Sequence, residues 1–75
     1  MKFELKKQLR DKASYSYGLS NVLRYEIDIL RKDTRECNPL KLKETIHNTS
    51  TTLQKLLLII GELEYILKLD KIEGP

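Results

Sequence analysis

His47 is the only histidine in the chain, and Thr49, Ser50 and Thr51 follow it closely. These are the residue types of nucleophilic catalysis, in which an imidazole takes the proton of an attacking hydroxyl. On a helix, His47 shares a face with Ser50 and Thr51, three and four positions on. A working base also needs a third group to orient it, and none is evident nearby. The stretch therefore reads as a hydroxyl-rich stripe lining a helix interface. Cys37 reads as a turn residue. One cysteine and one histidine cannot make a structural zinc site, and no glycine-rich phosphate loop occurs. The sequence thus assigns no catalytic residue, no metal and no cofactor, and the expectation is a non-enzymatic protein.

Phosphate chemistry has better material. The opening MKFELKKQLRDK carries a net charge of +3, and Lys6, Lys7 and Arg10 are its candidate phosphate ligands. Tyr15 and Tyr17 stand beside Ser14, Ser16, Ser20 and Asn21, residues that stack on a base and hydrogen-bond to it. Oligomer symmetry would bring such a tyrosine pair to a neighbour's lysines. A second basic group, Arg31, Lys32, Arg35, Lys41 and Lys43, is diluted by Asp28, Asp33, Glu36 and Glu44. It reads as a salt-bridged, solvated face.

The elements that must position these residues are helical. Asn38-Pro39 lies near the middle of the chain. Asn is a favoured N-cap and Pro a favoured first helical residue, so one helix of about 2–36 should end before a turn at 37–38. A second should run over about 39–72, closed by Gly74-Pro75. In the second segment Leu42, Ile46, Thr49, Leu53, Leu56, Ile60, Leu63 and Leu67 alternate at spacings of four and three. That is the seam of a helix packed along another helix. Low helix propensity at 14–18 and around 48–51 leaves room for a break in either arm. The fold expected is all-α: an antiparallel helical hairpin forming one domain over 1–75, assembled into a four-helix-bundle dimer or a larger ring.

Charge placement supports the assembly. No charged residue occurs from Ala13 to Leu23, and Lys55 is the only one from Thr45 to Gly61. Folding about residue 37 sets these two stretches side by side. A helix apolar all round should be buried, and Leu56-Leu57-Leu58-Ile59-Ile60 supplies such a segment. Tyr15, Tyr17, Leu19, Leu57, Leu58 and Ile59 are the expected self-association or partner surface. Gly18 and Gly61 fall in the same belt, as points of close backbone approach or as bends.

The chain has 75 residues, 14 basic and 11 acidic, with 40% apolar and no tryptophan. On its own such a chain buries only about 60% of its unfolded surface, and one cysteine allows no internal disulfide. It is too small to wall a substrate pocket and must gain stability by helix packing or self-association. The longest apolar run is five residues, far below the roughly 20 that span a bilayer. No apolar stretch suited to a secretory signal follows the basic start. No membrane partner and a cytoplasmic location are expected. The function expected is a small oligomeric protein working by protein–protein interaction, as an inhibitor, adaptor or assembly subunit. The alternative is a binder of nucleic acid or of a phosphorylated or nucleotide ligand.

Overall fold

The computed structural model describes residues 1–73. The expected stop at Gly74-Pro75 lies outside them. Two helices account for nearly all of this length: α1 (Phe3–Glu36) and α2 (Pro39–Glu73), antiparallel and packed along each other. The hairpin is 55 Å long and 16 by 12 Å across, with a radius of gyration of 17.0 Å. A compact chain of this length would have a radius of about 11 Å. The molecule is a rod with one seam.

The turn follows from local chemistry. Cys37 takes the left-handed conformation, φ 53° and ψ 42°, and its N–H closes α1 by bonding to the Asp33 carbonyl at 2.9 Å. Asn38 then caps α2, its Oδ1 accepting from the N–H groups of Leu40 and Lys41 at 3.2 and 3.3 Å. Pro39 opens α2 with its fixed φ and no donor left unmet.

Neither arm breaks at 14–18 or at 48–51. Both helices are continuous through their hydroxyl-rich stretches because the hydroxyls bond back onto their own helix. Ser16 and Ser20 donate to the carbonyls of Ala13 and Tyr17 in α1. Thr49, Thr51 and Thr52 donate to those of Thr45, His47 and Asn48 in α2. A hydroxyl used this way does not draw the backbone into a turn. The capping-box pattern at Thr51 and Gln54 is unused, since Thr51 Oγ1 serves the carbonyl of His47.

The seam itself corrects the sequence reading. In α1 the residues turned inward are Leu5, Leu9, Lys12, Ser16, Leu19, Leu23, Glu26, Leu30 and Asp33. In α2 they are Leu42, Thr45, Thr49, Thr52, Leu56, Ile59, Leu63, Ile66 and Asp70. Half of the expected α2 seam is there, at 42, 49, 56 and 63. The other half, Ile46, Leu53, Ile60 and Leu67, is displaced by Thr45, Thr52, Ile59 and Ile66. This amounts to turning α2 by about 50° on its axis. The reason lies on α1, whose inward residues toward the turn include Asp33, and threonine satisfies that carboxylate where isoleucine cannot. Thr45 Oγ1 lies 2.5 Å from Asp33 Oδ2. Toward the open end Leu5, Ile59 and Ile66 are buried, with Lys12 and Asp70 half-buried beside them.

Candidate functional site

The seam divides the rod into two long flanks. With the heptad written abcdefg and seam residues at a and d, positions e and b of both helices share one flank, and g and c the other. Lys12 pairs with Glu62, and Thr45 with Asp33, which sets the level of each α1 residue against α2.

On the e/b flank, Ile46, Leu53, Ile60 and Leu67 keep 52, 45, 47 and 50% of their surface in solvent. They recur every seven residues, a straight apolar stripe about 30 Å long at 1.5 Å per residue. Leu57, at 68% exposure, lies outside it. At matching levels on α1 stand Ala13, Ser20 and Ile27, with Tyr17 outermost and level with Leu57. The flank has a tall side along α2, and along α1 it is low at Ala13 and Ser20. Half-burial of four large aliphatic residues leaves roughly 1 kcal/mol unrealised at each.

Charge is segregated in the same way. The e/b flank carries Lys6, Arg10, Arg24, Arg31, Lys43 and Lys71 against Glu64 alone. The g/c flank carries Lys32, Lys41 and Lys55 against five carboxylates: Glu4, Asp11, Glu36, Glu44 and Glu62. The excess of base in the composition is therefore concentrated on the flank with the apolar stripe.

The g/c flank holds two open-sided grooves. One is lined by Tyr15, Lys55, Leu58 and the Lys12–Glu62 ion pair. The other lies near the turn, between Tyr25, Ile29, Lys41 and Asn48.

The expected surface residues are thus distributed over three places. Leu19 and Ile59 belong to the hairpin's own seam, Ile59 being only 6% exposed. Tyr15 and Leu58 face one flank, Tyr17 and Leu57 the other. The split has a simple cause: residues two apart on a helix point about 200° apart, so neighbours in sequence cannot share a flank. For the phosphate candidates, Lys6 and Arg10 stand on the e/b flank with Tyr17. Lys7 points away from the seam, and Tyr15 lies across the rod. The structure therefore groups Lys6, Arg10 and Tyr17 and separates Lys7 and Tyr15 from them.

Sequence reasoning placed Ile46, Leu53, Ile60 and Leu67 inside the hairpin and so missed them as a surface. The available signal was the width of the stripe. Apolar residues at a, d and e together mark a helix with more than one neighbour, whereas a two-helix seam needs only a and d.

The hydroxyls near His47 do not form a catalytic arrangement in this geometry. The Thr51 proton goes to the His47 carbonyl, and Thr49 faces the seam while His47 is exposed on the outer side. Among the described residues no group of three or more His, Cys, Asp or Glu is placed to hold a metal ion. No helix among them is long and apolar enough to cross a membrane. Around Gly18 and Gly61 a Cβ atom would meet nothing within 4 Å, so neither glycine serves a close approach within the hairpin. No family model matches the chain, and no curated protein or solved structure matches it.

Proposed function

We propose that the chain is a small non-enzymatic protein that works by protein–protein interaction, as an oligomer of helical hairpins acting as an inhibitor, adaptor or assembly subunit. One observation carries this reading. Helix α2 is apolar at three heptad positions, a, d and e, from Leu56 to Leu67, its e row continues through Leu53 and Ile46, and the hairpin covers only a and d. A helix so patterned fits a bundle in which it has two neighbours. The test is the native mass in solution by light scattering, followed by identification of the protein that co-purifies in stoichiometric amount. A monomer that binds no protein would overturn the reading.

A second reading rests on the charge segregation. Six basic residues along the e/b flank fit an anionic ligand, a nucleic acid or a phosphorylated small molecule, with Lys6, Arg10 and Tyr17 grouped toward the open end. The two readings differ in salt dependence. Phosphate binding weakens steeply as salt rises, through counterion release. Contact through the apolar stripe does not, because salt screens the like charges on either side of it.

A further inference from the structure

Resting on the interaction reading above, we propose that the e/b flank is covered by a second copy of the chain. The two hairpins lie parallel with both turns at one end, and α1 of each copy packs on α2 of the other. The result is a four-helix bundle with its two-fold axis along the rod.

Three features of the flank single out this occupant. The first is relief. Along α2 the flank rises in Ile46, Leu53, Ile60 and Leu67; along α1 it is low at Ala13 and Ser20. A two-fold axis parallel to the rod lays the tall side of each copy on the low side of the other. Ile60 of one copy then meets Ala13 of the second, and Leu53 meets Ser20. An isologous contact requires one surface complementary to itself, and this one is at the Ala13 and Ser20 levels, while nearer the turn Ile27 of one copy meets Ile46 of the other as an apolar pair.

The second feature is charge. In the parallel arrangement Arg10 comes level with Glu64 of the second copy, twice by symmetry. Its cost is like charge at both ends, Arg31 beside Lys43 near the turns and Lys6 near Lys71 at the open end, where all four are exposed and screened. Turning one hairpin end for end instead sets α1 on α1 and α2 on α2. Arg10 then meets Arg24, Lys43 meets Lys71, and Glu64 faces no cation. Large residues also meet large ones along α2, while Ala13 and Ser20 face each other across a gap.

The third feature is size. A face 55 by 16 Å offers roughly the 800 Å² per partner typical of a stable interface. The stripe is also straight over three heptad steps, so its occupant must be a long straight helix with matching period. Helix α1 of a second copy meets that requirement.

Cys37 provides the test, since it is the one thiol, is exposed, and lies at the turn away from the flank. The wild-type protein is spin-labelled at Cys37, its mass is measured by light scattering, and the label-to-label distance by pulsed dipolar spectroscopy. The expected result is a dimer with the two Cys37 positions about one bundle diagonal apart, ~13 Å, so that the labels report a distance far below the rod length. A dimer with labels near the full 55 Å rod length overturns the parallel arrangement and leaves self-association standing. A larger ring or open polymer overturns the two-fold contact but again leaves oligomerisation intact. A monomer at every concentration overturns both. Leu53→Glu, a change at a half-exposed site, should halve the mass while circular dichroism shows the helices retained.

Discussion

Thr45 Oγ1 lies 2.5 Å from Asp33 Oδ2, and both side chains are buried where the two helices meet next to the turn. The same hydroxyl lies 2.9 Å from the Lys41 carbonyl, so one proton is shared between a local acceptor and a carboxylate on the other helix. This contact fixes both the level of α2 against α1 and its rotation. A buried acceptor must be met, and only with Thr45 turned inward does Asp33 receive this donor.

Removing that donor should be costly. Thr45→Val keeps the shape but leaves Asp33 without the hydroxyl, a penalty of about 1–3 kcal/mol. Thermal unfolding at fixed protein concentration should show a fall of roughly 4–8 °C per kcal/mol for a domain of this size. Asp33→Leu in the Thr45→Val background should recover part of the loss, since the uncompensated polar group is then gone. A double variant no more stable than Thr45→Val would count against the contact.

Glu26 presents the opposite case. It sits on the seam with Oε1 buried and without a hydrogen-bond partner. Glu26→Leu should therefore stabilise the hairpin, by about 1 kcal/mol or more, since an unmet buried polar atom is replaced by apolar contact. Chemical denaturation should show a higher midpoint with an unchanged slope. A lower midpoint would mean that the carboxylate has a partner in solution.

Backbone conformation gives a prediction at the turn. Cys37 holds φ at 53°, where a side chain is strained and glycine is not. Cys37→Gly should raise stability by about 0.5–1 kcal/mol despite loss of the Sγ contact to the Thr34 carbonyl at 3.2 Å. Cys37→Val, β-branched and with no such contact, should lower it. Melting temperatures of the two variants in one buffer decide the matter.

The two flanks should respond differently to a new charge. Leu53→Glu places a carboxylate in the apolar stripe and should split the assembly. Leu58→Glu, on the other flank and already 66% exposed, should leave its mass unchanged. Raising the salt concentration should tighten association of the wild type, because two flanks that each carry six bases against one carboxylate are brought together and their net repulsion is screened. Equal loss of mass in both variants would place the interface across both flanks.

The sequence by itself determined where the helices begin and end around residue 37. Asn38 and Pro39 act through groups within a few residues of themselves, and the chain needs nothing distant to obey them. It also carried the heptad period of α2, since the 4-and-3 spacing is a property of one helix. The rotation of that helix was decided only by tertiary structure. Two registers with the same period lie side by side in α2, the threonines and isoleucines at 45, 52, 59 and 66 and the aliphatics at 46, 53, 60 and 67. Apolarity alone favours the second as the seam. The choice between them depends on what α1 presents, and there Asp33 draws Thr45 inward and turns the aliphatic row out to the flank. The surface offered to a partner was therefore not a property of either helix. It is what remained exposed once a carboxylate on one helix had claimed a hydroxyl on the other.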